Sequence, residues 1–204
     1  MHKELGRCGD SATITMQTQG RTAPESMGVE GSYRIVCHDK NGNLKWEEEF
    51  PNLVVAAGKQ LMMDTLLRTT SPSTYTTVGP FLGLTNVSIT AAATDTMSTL
   101  TNKEFINYST TGGAGIRGTA VFAAAASTGS TPTNITSSNA TAITYTITGA
   151  GGNIFGCFLV TGTSASNATG STAGTLYSEG NFATSKSTSA GDTVSVTYST
   201  TATS

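Results

Sequence analysis

Apolar and polar positions follow two different rhythms along the chain. In "AITYTIT" (142–148), Ile143, Tyr145 and Ile147 fall on one side, with Thr144 and Thr146 on the other. "TVSVTYST" (193–200) sets Val194, Val196 and Tyr198 against Ser195, Thr197 and Ser199 in the same way. A period of two marks a half-buried strand whose outer face is covered by hydroxyl side chains. "NIFGCFLVTG" (153–162) is nearly continuously apolar between glycines. It predicts a central strand buried on both faces, with Cys157 inside it. "VGPFLGLT", "EFINYS", "GIRGTAVFA" and "GTLYSEGNF" are further strand segments, separated by Gly- and Ser-rich clusters. That spacing predicts an all-β fold, mainly antiparallel, of the sandwich or jelly-roll type.

One segment has the helical rhythm. In "NLVVAAGKQLMMDTLLR" (52–68), the polar Gln60, Asp64 and Arg68 recur every fourth position and form one narrow stripe. Leu61, Met62, Met63, Leu66 and Leu67 fill the rest of the circumference. The pattern predicts a short helix over about 56–68, packed on a sheet with only the stripe wet and an Asp64–Arg68 pair along it. Gly58 is a poor helix former, and it marks either the helix start or a close backbone contact.

Before the helix, "HDKNGNLKWEEEF" (38–50), with Cys37 ahead of it, collects Cys, His and acidic residues. Asn41-Gly42 is the preferred pair of a two-residue type I′ turn. That turn sets Lys40 opposite Asn43 and predicts a hairpin over 33–50. Cys37 then faces Trp46, Ile35 faces Glu48, and Tyr33 faces Phe50 on one side of the sheet. On the other side His38 faces Lys45, Val36 faces Glu47, and Arg34 faces Glu49. Adjacent strand residues point to opposite faces, so Cys37 and His38 cannot form a nucleophile–base pair. The acids on the outer face read as cross-strand partners of basic residues.

Residues 1 to about 30 hold little apolar material and are interrupted by Gly20, Pro24 and Gly28. They predict an extended arm ahead of a single β-rich domain over 31–204, with strands from 78 to 200. Such an arm orders only against a neighbouring subunit or its own domain. Arg7, Arg21, Ile14 and Met16 are its candidate contact residues. The first twenty residues have no apolar core of a signal peptide, so none is expected.

Charge then narrows the functional classes. Charged residues make up 12% of the chain and the net charge is −2. The usual charged share is about a quarter. Without a Lys/Arg surplus, no nucleic-acid partner is expected. No apolar run approaches the roughly 20 residues of a membrane span, so no membrane partner is expected either. The three cysteines, Cys8, Cys37 and Cys157, have neither disulfide-framework nor zinc spacing and read as buried thiols. The sequons at Asn86, Asn107, Asn134, Asn139 and Asn167 follow from a Ser/Thr/Asn-rich composition. With only His2 and His38, histidine chemistry has almost no material. No GxSxG, HExxH or P-loop occurs, and "TGGAGIRG" fits no phosphate fingerprint. Glu104, Glu179 and Asp192 are the acids whose convergence would support a glycosidase-like enzyme. The reading is no enzyme, no catalytic residue, no cofactor and no metal.

"DKNGNLKWEEEFPNLVVAAGKQLMMDTLL", then "YTTVGPFLGLTN", and finally "GTLYSEGNFATSKSTSAGDTVSVTYS" together resemble a pattern of small virion proteins of tailed bacteriophages and prophages. In that group a "GN-x-KW" hairpin leads to "NLV", a glycine, a short helix and a "GL" strand. The resemblance implies a virion structural protein, made in the bacterial host cytoplasm and carried on the capsid surface. It implies a decoration (cement) role, with the major capsid protein and further copies of the chain, as dimer or trimer, for partners. A tail or head-fibre component with receptor or carbohydrate binding is the alternative. The absence of repeats or a coiled-coil stem favours decoration.

Overall fold

The computed structural model describes residues 28–67, 79–128 and 134–203. The expected arm lies outside these residues up to position 27, whereas Gly28–Glu30 already belong to the sheet.

Strands β1 (Gly28–His38) and β2 (Leu44–Val54) form the expected hairpin. Tyr33 faces Phe50, Arg34 faces Glu49, Ile35 faces Glu48, Val36 faces Glu47, and Cys37 faces Trp46. The tip differs from the expected two-residue turn. The Gly42 amide donates to the Asp39 carbonyl (2.9 Å) and the Asp39 amide to the Asn43 carbonyl (2.8 Å), leaving a three-residue loop. Gly42 alone in the loop takes a positive φ, 84°. This is a turn followed by a left-handed glycine, the G1-bulge hairpin loop. His38 therefore faces Leu44 rather than Lys45, and a bulge restores the register at Cys37–Trp46. One residue added to the loop is absorbed by one residue bulged from the strand. A net slip would have turned Tyr33, Ile35 and Cys37 to solvent, and all three are fully buried.

Asp39 explains the choice of loop. Its carboxylate accepts from the Asn41 amide (2.8 Å), the Asn43 amide (2.9 Å) and the Asn43 side chain (3.0 Å). The Asn43 side-chain and backbone bonds hold its pKa below the usual aspartate value. A depressed carboxyl contributes stability above its ordinary pKa and loses it as pH falls through the lowered value. Asp39→Asn should therefore fall short of wild type at neutral pH, and the gap should close as pH falls below the ordinary aspartate value. Thermal melts of both proteins across that range check this; a constant difference would refute it.

Helix α1 (Ala56–Leu67) follows β2 directly. Gly58 is the close backbone contact: a Cβ there would sit 2.5 Å from the Tyr177 carbonyl oxygen. The helix is wetter than its pattern predicted. Met62 is half-buried against the core, but Met63 and Leu67 are 44% and 70% exposed. Among the described residues the helix meets the sheet near Gly58, Leu61 and Met62, and Met63 and Leu67 stand outside that contact. The Leu66 side chain and Arg68 lie outside the described residues.

The remaining strands are β3 (Phe81–Thr85), β4 (Glu104–Phe105), β5 (Tyr108–Thr110), β6 (Gly113–Ala114), β7 (Gly118–Thr119), β8 (Ala126–Thr128), β9 (Asn134–Ser138), β10 (Ile143–Ile147), β11 (Gly152–Thr161), β12 (Thr175–Thr188) and β13 (Thr193–Thr203). Every pairing is antiparallel. The order β4-β3-β11-β12-β2-β1-β13-β10-β5-β6 is one continuous sheet that curls on itself. Strand β2 is the fold line. Its first part pairs with β1, while Leu53 and Val54, just after Pro51, pair with Glu179 and Ser178 of β12. The two flanks close on each other, and the Tyr145 hydroxyl of β10 donates to the Leu82 carbonyl of β3 (2.7 Å).

The interior is aromatic. Tyr33 packs on Tyr198 (4.6 Å between ring centres) and on Phe50 (5.5 Å), and Phe182 follows between Phe50 (5.0 Å) and Trp46 (5.7 Å). Central β11 is buried on both faces, as its apolar run predicted. Its inward side chains join this core. Outward-facing Phe158 and Val160 join Phe81 and Leu176 in a second core, roofed by Ile89, Met97, Leu100 and Ala165.

Candidate functional site

The Cys-His-acid cluster is a hairpin, and its groups are dispersed. The Cys37 thiol is fully buried in the core and its sulfur lies 3.8 Å from the His38 carbonyl oxygen. Burial, then the nearby Asp192 carboxylate, pushes the thiol up to about 11. Burial alone raises Cys157 well above the ordinary thiol value. Neither thiol is set up as a nucleophile, because the thiolate is the reactive form.

The acids of the hairpin have separate partners. Glu47 pairs with Arg34 (2.5 Å), diagonally rather than through the expected Arg34–Glu49 pair. Glu49 instead accepts from the Ser32 hydroxyl (2.9 Å). Glu48, the one acid on the apolar face, pairs with Lys186 and accepts from the Ala183 amide (3.2 Å). Burial works to raise its pKa, but these two contacts outweigh burial and leave it lowered.

Glu104, Glu179 and Asp192 occupy different settings. Asp192 accepts from Lys45 (2.5 Å) and from the Ser189 amide (2.8 Å). Glu104 is buried and held bidentately by Arg117, through Nε (2.9 Å) and Nη2 (2.8 Å). Arg117 also donates to the carbonyls of Ser166 (2.9 Å) and Ser171 (2.8 Å) and lies over the Phe158 ring at 5.1 Å. The pair thus pins residues 162–174 onto the sheet. Glu179 is fully buried under residues 86–103. Sequence reading missed both buried groups. Arg117 is the one basic residue between Lys103 and Lys186, set in an apolar stretch, and that isolation was the available signal.

Two of the remaining surfaces carry no charged side chain. The outer face of β10, β13 and β9 is a hydroxyl surface of Thr144, Ser195, Thr197, Ser199 and Thr201, where Thr201 bonds Thr136 (2.7 Å). The second surface is apolar and lies at one end of the curl. A groove of about 300 Å³ opens there, lined by Pro80, Phe122, Leu159 and Tyr177 with Ser137, Thr161 and Thr200. Thr200 pairs with Gly31, so the groove lies three residues along β1 from Gly28. The Tyr177 hydroxyl reaches the Met62 sulfur of α1 (3.4 Å). Ile135, paired with Ala202 of β13, is 39% exposed, whereas Val121, 68% exposed, lies in a separate depression with Ile116, Gly118 and Ile143. The chain thus enters β1 at Gly28, opposite Thr203, next to a concentration of wet apolar side chains.

Among the described residues no group of three or more His, Cys, Asp or Glu side chains is arranged to hold a metal ion, and no helix is long and apolar enough to cross a membrane. Comparisons of the chain with protein families, with curated proteins and with solved structures find no match.

Proposed function

We propose that the protein is a structural component of a tailed-phage virion, a decoration protein that binds the outer face of the major capsid protein. The observation that carries this reading is a cluster of contact features at the end where β1 begins, from which exposed Leu44 at the hairpin tip and Ile106 after β4 stand apart. The start of the described sheet at Gly28, the groove around Phe122 and Tyr177, and exposed Ile135, paired with Ala202, lie near the end where β1 begins. The flank formed by β10 and β13 is instead covered by hydroxyl side chains. Such a domain attaches by one end and presents an uncharged face to solvent. Apolar burial at that end supplies affinity, and the arm adds contacts along a neighbouring subunit. Many copies acting together make modest single contacts sufficient.

Deleting residues 1–27 should leave the circular-dichroism spectrum of the sheet unchanged and sharply weaken binding to decoration-free capsids. Co-sedimentation of full-length and truncated protein with such capsids measures this. Equal binding by both forms refutes the arm as the attachment device. Full-length protein that ignores capsids and binds tails or host cells transfers the assignment to a fibre component.

A further inference from the structure

Residues 86–103 form a strap over the outer face of β11 and β12. Its base is closed by the Asn86 amide, which donates to the Lys103 carbonyl (2.9 Å). The Asn181 side chain grips Ile89 from both sides, accepting from its amide (3.1 Å) and donating to its carbonyl. At the far end the Ala56 amide donates to the Ala93 carbonyl (2.8 Å). The Asp95 carboxylate closes the 92–95 turn by accepting from the Ala92 amide (2.7 Å). Ile89, Met97 and Leu100 of the strap complete the second core with Val55, Phe158 and Leu176.

Beneath the strap lies Glu179, with no exposed surface and neither carboxyl oxygen in a hydrogen bond. From the strap the Asp95 carboxyl disfavours its charge, whereas the Ala92 amide, which donates to Asp95 (2.7 Å), and Lys103 at the strap's base favour it more weakly. From the sheet it meets its register partners Phe158 and Leu53, which carry no charge, and the buried Tyr33 phenol at Ser178, whose own proton it helps to retain. The Glu104–Arg117 pair on the far side of Phe158 is internally neutralised. A buried carboxylate with no donor at hydrogen-bond distance is strongly disfavoured, and a second carboxylate facing it adds repulsion.

We propose that Glu179 and Asp95 form a protonation latch: neutral Glu179 keeps the 86–103 strap closed, and loss of its proton favours release of the strap from the second core. Release would bare the apolar surface of Val55, Phe158 and Leu176. Burial first, then Asp95, raises Glu179 to about 8, against an ordinary value of 4.5. The closed form therefore binds one proton more than the open form between those two values. Closure is strongest below the ordinary value and weakens as pH rises towards the raised one, above which the effect levels off.

Hydrogen exchange of the strap amides, corrected for intrinsic rates, reads the latch directly. In wild type the opening constant should rise about tenfold per pH unit from about pH 5 to pH 8. In Glu179→Gln it should stay flat. A flat wild-type profile, or the same slope in the Gln variant, overturns the proposal. Carboxyl NMR of the wild-type protein gives a second test that does not depend on the variant folding. Glu179 titrating near its ordinary value overturns the latch, and a midpoint near 8 supports it. Asp95→Asn should move the Glu179 midpoint down; an unmoved midpoint removes Asp95 from the device.

Discussion

Replacing Arg117 with methionine is expected to destabilise the domain by about 3–5 kcal/mol, the cost of leaving one member of a buried ion pair without its partner. Side-chain exposure is 1% for Arg117 and 4% for Glu104, so water cannot take the place of the lost guanidinium. The Gly170 amide (2.6 Å) would remain as a donor to the Glu104 carboxylate. The carbonyls of Ser166 and Ser171 would lose the donors that now tie residues 162–174 to the sheet. Urea unfolding of the variant measures the loss. The double variant Arg117→Met/Glu104→Leu should recover much of it, because an apolar pair of similar volume removes both charges together. A single variant within about 0.5 kcal/mol of wild type would show that the pair does not hold this layer.

Phe158→Ala is expected to cost a similar amount, about 3–5 kcal/mol, through lost burial and the cavity left behind. Its ring is fully buried. Gly83 lies against the ring so closely that a Cβ there would meet Phe158 Cζ at 2.3 Å, and glycine has no side chain to move in. Because Arg117 lies over the same ring, the two substitutions should not be additive. A double-mutant cycle with Arg117→Met should return a coupling of about 0.5–3 kcal/mol. Simple additivity would mean that ring and guanidinium do not act as one unit.

The strands were legible because their signal is local. In β10 and β13 every second residue is apolar, and Ile143, Tyr145, Ile147, Val194, Val196 and Tyr198 are all buried as that alternation requires. The hairpin register was legible for the same reason, even though the turn was not. The apolar side of Tyr33, Ile35 and Cys37 outweighs the Asn-Gly preference, and a bulge reconciles the two. The helix was legible in position but not in burial. Its pattern states which residues are apolar, and it does not state how wide a surface will be available to cover them. Strand β12 was the hardest. Register is irregular around Tyr177, so Leu176 and Tyr177 are both buried and simple alternation cannot place Glu179.

What the sequence determined by itself is the all-β class, the position of each long strand, the inward faces of the hairpin and the separation of Cys37 from His38. Each follows from a local pattern over a few neighbouring residues, a period of two in most strands and a continuous apolar run in β11. Tertiary structure alone decided that the sheet is continuous, curling through β2 at Pro51, and that a second core forms outside it. It also decided which charges were buried. Arg117 meets Glu104 across 13 residues, and Glu179 meets Asp95 across 84. Such encounters depend on how loops cross a sheet that is already folded, and no local periodicity encodes that path.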